Sequence, residues 1–102
     1  MCKAVGMLEK VRGKALKGNV LDSFLVGNED VCPLKCVEHD YCVSYNLGPQ
    51  QNGGHVCEIS SSDAIKSPHL MEQREGFIYQ GTKVVFLCHP LVFVYWAIRK
   101  NG

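Results

Sequence analysis

The sequence has almost no net charge, because 11 Lys and Arg residues stand against 10 Asp and Glu residues and leave a formal charge of +1. Nucleic-acid binding normally needs a broad basic surface, so this balance argues against that class of function. The sequence also lacks an Asn-x-Ser/Thr glycosylation motif, and Met1–Gly13 lacks the apolar core of a signal peptide. With 102 residues, there is room for one small domain and not for a two-domain enzyme.

The sequence also lacks an apolar run as long as a transmembrane helix. Its longest run, Val84–Ile98, has 13 apolar residues out of 15. A transmembrane helix needs about 20. Three interpretations stay open here: two buried β segments hinged at Pro90, a weak membrane contact, or a tail foreign to the domain. We therefore divide the chain into an N-terminal segment (1–13), a domain (14–83) and a hydrophobic C-terminal tail (84–102).

The middle of the chain predicts a mixture of strands and one helix. Apolar residues at helical spacing follow a cluster of capping and acidic residues that ends at Asp30. Alternating apolar residues on either side of a polar, glycine-rich loop predict a β-hairpin. The predicted elements are a strand at Asn19–Val26, a helix at Val31–Asp40, a hairpin of Cys42–Leu47 and His55–Ile59 around the loop Gly48–Gly54, and a last strand at Gly76–Thr82.

Cysteine is the most informative residue, since a chain of this size does not need 6 of them for packing alone. Cys32 and Cys36 lie one helical turn apart, so their Cβ atoms are about 5 to 6 Å apart, too far for a relaxed disulfide. Folding the hairpin about Gln50 and Gln51 brings Cys42 to the helix C-terminus and Cys57 to its N-terminus. This geometry predicts the disulfides Cys32–Cys57 and Cys36–Cys42. Cys2 and Cys88 stand alone in the terminal segments.

Two other chemistries were weighed for the same cysteines. Cys32, Cys36, Cys42 and Cys57, helped by His39 or His55, would make a tetrahedral zinc site if their sulfur atoms converged on one point. No Cys-x2-Cys pair occurs, and the predicted geometry separates the four thiols into two pairs. A catalytic thiol would need a base held by a third group, which the sequence does not mark. The four histidines are therefore interpreted as solvated residues.

Five segments in the same order resemble the PAN/Apple domain family. The resemblance covers about Lys14 to Thr82, and its centre is the ordered series of cysteines with Cys42-Val-Ser44-Tyr-Asn46 and Cys57-Glu. The segments are Lys14-Ala-Leu-Lys-Gly-Asn-Val20, Asp30-Val-Cys-Pro-Leu-Lys-Cys36, Cys42-Val-Ser-Tyr-Asn46, His55-Val-Cys-Glu-Ile59 and Gly76-Phe-Ile-Tyr-Gln-Gly-Thr82.

The resemblance implies an α+β fold, in which one helix packs across an antiparallel sheet and is tied to the central hairpin by Cys32–Cys57 and Cys36–Cys42. Some family members carry a third bridge between the domain termini, which only Cys2 and Cys88 could imitate here. The family binds proteins or carbohydrates without catalysis. We therefore expect a non-enzymatic extracellular module with a protein or glycan ligand, no nucleic-acid partner, no cofactor and no metal.

No ligand site follows from the sequence. The candidate cations for a sulfated glycan are scattered along the chain and are interpreted as solvated: Lys14, Lys17, Lys66, Arg74 and Lys83. The alternative hypothesis is an intracellular structural module stabilised by zinc at the four clustered cysteines.

Overall fold

The architecture was analysed in a computed structural model. The structure describes the backbone of residues 3–87 and 95–98 and the side chains of residues 5–83. These residues form six strands, one α-helix and one short 3-10 helix. In chain order they are β1 (Lys3–Leu16), β2 (Val20–Val26), α1 (Val31–Glu38), β3 (Ser44–Gln51), β4 (Gly54–Ser60), the 3-10 helix (Pro68–Leu70), β5 (Met71–Leu87) and β6 (Tyr95–Ile98).

The strands form one antiparallel sheet in the order β1-β5-β3-β4-β2, and β6 pairs with β5 beyond this path. The helix α1 packs across β3 and β4, the central hairpin. One helix across an antiparallel sheet confirms the predicted α+β fold class.

The core lies between α1 and the central hairpin. Tyr45 and Leu47 of β3 are buried in one cluster with the helix cysteines Cys32 and Cys36. Because side chains alternate along a strand, Asn46 between them projects to the other side of the sheet, where it contacts Leu16 at the end of β1. The sheet therefore has a helix face, which α1 covers, and a back face, on which the end of β1 lies.

The turn of the central hairpin differs from the prediction. Gly48–Gln51 belong to β3, and only Asn52 and Gly53 form the turn. Both have positive φ, 50° and 84°, which is the type I′ conformation that Asn-Gly favours. With this turn, and with one irregularity between Leu47 and Gln50, Cys57 lies opposite Leu47. A hairpin folded about Gln50 and Gln51, as predicted, would have placed Cys57 opposite Ser44. The predicted centre near Gln50 was therefore wrong.

The helix begins at Val31 as predicted but ends at Glu38, two residues before the predicted end. His39 has extended backbone angles, φ −93° and ψ 126°, which end the helix. Asp30 was predicted to lie in a capping sequence, but its side chain makes no cap hydrogen bond. The Asn28 side chain instead accepts a hydrogen bond from the Asp30 N–H at 2.8 Å.

The longest strands were not predicted. β1 pairs with β5 from Lys3 opposite Phe86 to Leu16 opposite Met71, with irregularities on the way. The predicted last strand Gly76–Thr82 is the middle of β5, which continues to Leu87 and pairs there with β6. Pro90 lies outside the described residues. The domain bounds 14–83 therefore remain a prediction, although residues 3–13 take part in the sheet.

Candidate functional site

The four clustered cysteines form two pairs, which join α1 to β4 and to the segment just before β3. Cys32 and Cys57 have Cα atoms 5.6 Å apart, and the Cα atoms of Cys36 and Cys42 are 5.2 Å apart. All four side chains are fully buried. We call Cys32–Cys57 the long bridge and Cys36–Cys42 the short bridge. They are the pairs that the sequence predicted, and together they fix α1 at both ends against the sheet.

Two polar residues of β3 attach neighbouring segments to this hairpin. Ser44 donates a hydrogen bond from its hydroxyl to the Ser62 carbonyl at 2.6 Å. Asn46, which is 0% exposed, accepts from the Leu16 N–H and donates to the Leu16 carbonyl, both at 2.8 Å. Asn46 also donates to Glu58 at 3.1 Å. Ser44 therefore positions the loop after β4, and Asn46 positions the end of β1.

A second polar chain runs from β3 to β1 through β5. The Tyr45 hydroxyl donates to the Gln80 side-chain oxygen, and the Gln80 amide donates to the Leu8 carbonyl at 2.6 Å. Burial, together with the negative charges of Glu29 and Asp30, raises the pKa of Tyr45 to about 12. Tyr45 is therefore a structural hydrogen-bond donor at neutral pH.

A polar depression lies beside the loop that Ser44 positions. Its volume is about 570 Å³, which is within the range of small-ligand pockets. It is open to solvent on one side, where the Tyr41 side chain is 70% exposed. The lining residues come from the start of β2, the segment after α1 and the loop after β4, and they are Asn19, Leu21, Tyr41, Ser61, Ser62, Lys66 and Ser67. We call this depression the Tyr41 pocket.

The loop of the Tyr41 pocket is held in one shape by Asp63. This carboxylate is 2% exposed and accepts hydrogen bonds from the N–H groups of Ile65 and Lys66 at 3.1 and 2.8 Å. The Ser67 N–H donates to the Asp63 carbonyl at 2.8 Å. The pocket wall is therefore pre-organised, and preorganisation lowers the entropy cost of ligand binding.

The polar groups of the Tyr41 pocket differ in how far hydrogen bonds and ion pairs within the domain already engage them. The Ser62 and Ser67 hydroxyls are 2.7 Å apart and hydrogen-bond to each other. The ammonium group of Lys66 forms no ion pair with any described residue. An exposed aromatic ring, hydroxyl groups and one cation therefore line a single depression.

The five cations named from the sequence lie in different environments. Arg74 forms ion pairs with Glu72 at 2.6 Å and with Glu58 at 3.6 Å, and it lies over the Phe77 ring at 4.7 Å. Arg74 is thus engaged within the domain, although its side chain is still 33% exposed. Lys66 lines the Tyr41 pocket, whereas the others lie along two strands or next to them: Lys14 and Lys17 at the end of β1 and Lys83 on β5.

Sequence reasoning missed most of this pocket. The serine-rich run after β4 carries no motif that marks a binding site, and nothing in the sequence shows that Tyr41 adjoins it. Two histidines named for alternative chemistry also have structural contacts. His55 is half-buried and its ring nitrogen lies 2.8 Å from the Gly48 carbonyl, while His39 accepts from the Tyr41 N–H at 3.1 Å. The interpretation of His55 as a solvated residue was wrong.

A comparison with protein-family models gives one match, to the PAN domain, over residues 2–82. This match covers more than half of the chain. The chain belongs to the PAN domain family. Searches among curated proteins and among solved structures found no significant match. The match confirms the resemblance seen in the sequence, and it begins before Lys14 because it includes β1 of this PAN domain.

The family and the structure also bear on the remaining expectations. PAN domains are generally non-catalytic, typically extracellular modules that bind proteins or carbohydrates. Among the described residues, no group of His, Cys, Asp and Glu side chains could hold a metal ion, so the zinc alternative has no support. No helix within residues 3–87 and 95–98 has the length and apolar character of a membrane span. Cys2 and Cys88 lie outside the described residues.

Proposed function

We propose that this chain is a non-enzymatic extracellular binding module, and that the Tyr41 pocket is its site for a carbohydrate with an acidic group. Family membership supports a binding role without catalysis and without a cofactor. The two bridges support an oxidising compartment, where small domains commonly rely on disulfides.

The chemistry of the Tyr41 pocket supports a sugar ligand. A pyranose ring has an apolar face that packs on an exposed aromatic ring, here that of Tyr41, and hydroxyl groups that need hydrogen-bond partners. Ser61, Ser62 and Ser67 supply hydroxyls that act as donors and acceptors. Lys66 supplies a cation without an internal partner, which favours a sugar that carries a carboxylate or a sulfate.

The observation that carries this proposal is the exposed Tyr41 ring beside a loop already fixed by Asp63. An aromatic side chain that is 70% exposed gains burial only when something covers it. The lining residues include neither histidine nor carboxylate, so the pocket lacks the usual general acid and base of hydrolytic sites. Binding without turnover is therefore the simplest use of this arrangement.

The test is a glycan array probed with the oxidised full chain, followed by calorimetry on the hits. We expect acidic sugars among the hits and at least about a tenfold weaker affinity for Tyr41→Ala, because the stacking surface is lost. Lys66→Gln should weaken only the acidic sugars. Ile65→Ala is the matched control, since Ile65 is 65% exposed next to the pocket but does not line it. Binding that is unchanged in Tyr41→Ala would contradict the proposed site.

A further inference from the structure

The near-zero net charge of this chain conceals two oppositely charged regions. Residues 1–17 contain five Lys or Arg and one Glu, whereas residues 18–65 contain one Lys and seven Asp or Glu. The sum of these charges does not show where they lie. Their positions in the fold carry different information.

The cations of the first region lie along an edge strand. Four of them lie on β1 or directly after it, all exposed, and we call them the basic strip: Lys10, Arg12, Lys14 and Lys17. From Lys10 to Lys17 an extended chain covers about 23 Å. None of the four forms an ion pair with a described residue. The strip is therefore not neutralised within this part of the chain.

The carboxylates of the second region surround α1. Five exposed ones lie on β2 or next to the two ends of the helix, and we call them the acidic surface: Asp22, Glu29, Asp30, Glu38 and Asp40. None of them forms an ion pair within the described residues. The single cation of this region, Lys35, lies 5.1 Å from the centre of the Phe24 ring.

Two carboxylates of the acidic surface are placed where helix stability does not favour them. Glu38 is the last residue of α1 and Asp40 follows shortly after it. The C-terminus of a helix carries partial negative charge, so anions there are unfavourable. The field of Glu29 and Asp30 is also felt inside the domain, where it helps to raise the pKa of Tyr45. Helix stability therefore does not explain Glu38 and Asp40, although it favours Glu29 and Asp30 at the other end of α1.

The two charged regions lie at opposite ends of the sheet along most of their length, although the end of β1 returns toward β2. The acidic surface surrounds α1 on the helix face, and β2 is the edge strand at one end of the sheet. The basic strip lies on β1, the edge strand at the other end, and the end of β1 contacts Asn46 on the back face. Lys10 and Asp22 lie on one register through β5, β3 and β4, and four strand spacings separate them by about 19 Å, beyond the Debye length at physiological salt, about 8 Å. Lys17 lies nearer to the acidic surface, because only Gly18 and Asn19 join it to β2.

We propose that the basic strip of one copy docks on the acidic surface of a second copy, so that the chain associates head to tail. The charges support a second copy as the partner, because each copy carries both a basic strip and an acidic surface. Such a contact uses two different surfaces, so it leaves one of each free and permits further copies to add. Complementary charge gives specificity and a strong salt dependence more than high affinity.

The test is sedimentation velocity on the oxidised full chain at low and high salt. We expect association at about 0.01 M salt, where the Debye length is about 30 Å, and at least about a tenfold weaker association at about 1 M, where it is about 3 Å. Association through the apolar C-terminal tail would respond in the opposite way, because burial of apolar surface does not weaken with salt. A monomer at low salt, or association that high salt strengthens, would overturn the proposal.

Charge reversal provides a sharper version of the same experiment. Reversing the strip with Lys10→Glu, Arg12→Glu and Lys14→Glu makes both surfaces acidic, so this variant should be monomeric at low salt. Reversing the acidic surface with Glu29→Lys, Glu38→Lys and Asp40→Lys leaves it with a net positive charge and should have the same effect. Mixing the two variants should restore association, since each then offers the charge that the other needs.

The controls separate the effect of charge from the effect of substitution itself. Lys10→Arg with Lys14→Arg, and Glu29→Asp with Glu38→Asp, keep the charge of both surfaces and should leave association unchanged. Thermal melts of all variants establish that each remains folded. A mixture of the two reversed variants that stays monomeric would overturn the proposal. So would native protein that stays monomeric alone and associates only when a polyanion such as dextran sulfate is added.

Discussion

The hydrogen bonds of Asn46 give the most direct test of how β1 is attached to the domain. We predict that Asn46→Leu, which keeps the approximate volume of the side chain, strongly destabilises the fold. Asn46 is 0% exposed and holds both backbone groups of Leu16 at 2.8 Å. Leu16 is itself 1% exposed, so water cannot replace the lost partners.

The magnitude follows from the groups left without partners. Each buried backbone group that loses its hydrogen bond costs about 1 to 3 kcal/mol, so the two groups of Leu16 together cost about 2 to 6 kcal/mol. A whole domain has a free energy of unfolding of about 5 to 15 kcal/mol. For a domain of this size, each kcal/mol corresponds to about 4 to 8 °C, so the melting temperature should fall by at least about 10 °C.

The assay is equilibrium unfolding in urea and by heat, under conditions that keep the disulfides oxidised. Gln50→Leu is the matched control, because Gln50 lies on the same strand but is exposed. The control should change the free energy of unfolding by less than about 0.5 kcal/mol. Equal effects of the two substitutions would refute the reasoning that Asn46 supports β1.

Two further predictions concern the hydroxyl of Tyr45 and the ends of the domain. The Tyr45 hydroxyl should ionise near pH 12, as followed by ultraviolet absorbance. Because its pKa in the folded protein lies above the unfolded value near 10, the free energy of unfolding should fall as the pH rises from about 10 to about 12. A titration of Tyr45 near pH 10 in the folded protein would contradict this. Deleting residues 84–102 should leave the fold intact, because the match to the PAN domain ends at residue 82. Deleting residues 1–13 should destabilise the fold, because Met7 packs on the core and the Leu8 carbonyl accepts a hydrogen bond from Gln80. Thermal melts of the two truncated chains check this, and a failure of the first to fold would place the domain boundary beyond Lys83.

The cysteine pattern was predictable from the sequence because it depends on order more than on register. A helix of two turns places Cys32 and Cys36 near its two ends, and the hairpin presents Cys57 and Cys42 in the matching order along it. The register predicted for the hairpin was wrong, yet the order of the two cysteines along the helix axis was unaffected. The disulfide prediction was therefore insensitive to that error.

The turn at Asn52 and Gly53 could have been found, since Asn-Gly is the strongest short signal for a two-residue hairpin turn. The turn was missed because the polar composition of Gly48–Gln51 favours a loop, whereas β3 continues through these residues. β1 was harder to recognise. Its glycines and alternating charges resemble an irregular segment, and the strand exists because β5 supplies a long partner.

The Tyr41 pocket and the charge separation were beyond sequence reasoning for a common reason. Each is formed by segments that are distant in sequence and that only the sheet order brings together or holds apart. Lys66 was noted as a scattered cation, and no pattern in the sequence relates it to Tyr41. Tertiary structure, and not periodicity, determines such sites.

The central claim is a PAN domain whose helix is tied to the central hairpin by two disulfides. Peptide mapping of the full chain without reduction, together with metal analysis of the same sample, tests it most directly. We predict one linked peptide pair containing Cys32 and Cys57, another containing Cys36 and Cys42, and no bound zinc. Stoichiometric zinc with four free thiols, or a linkage between Cys32 and Cys42, would contradict the account.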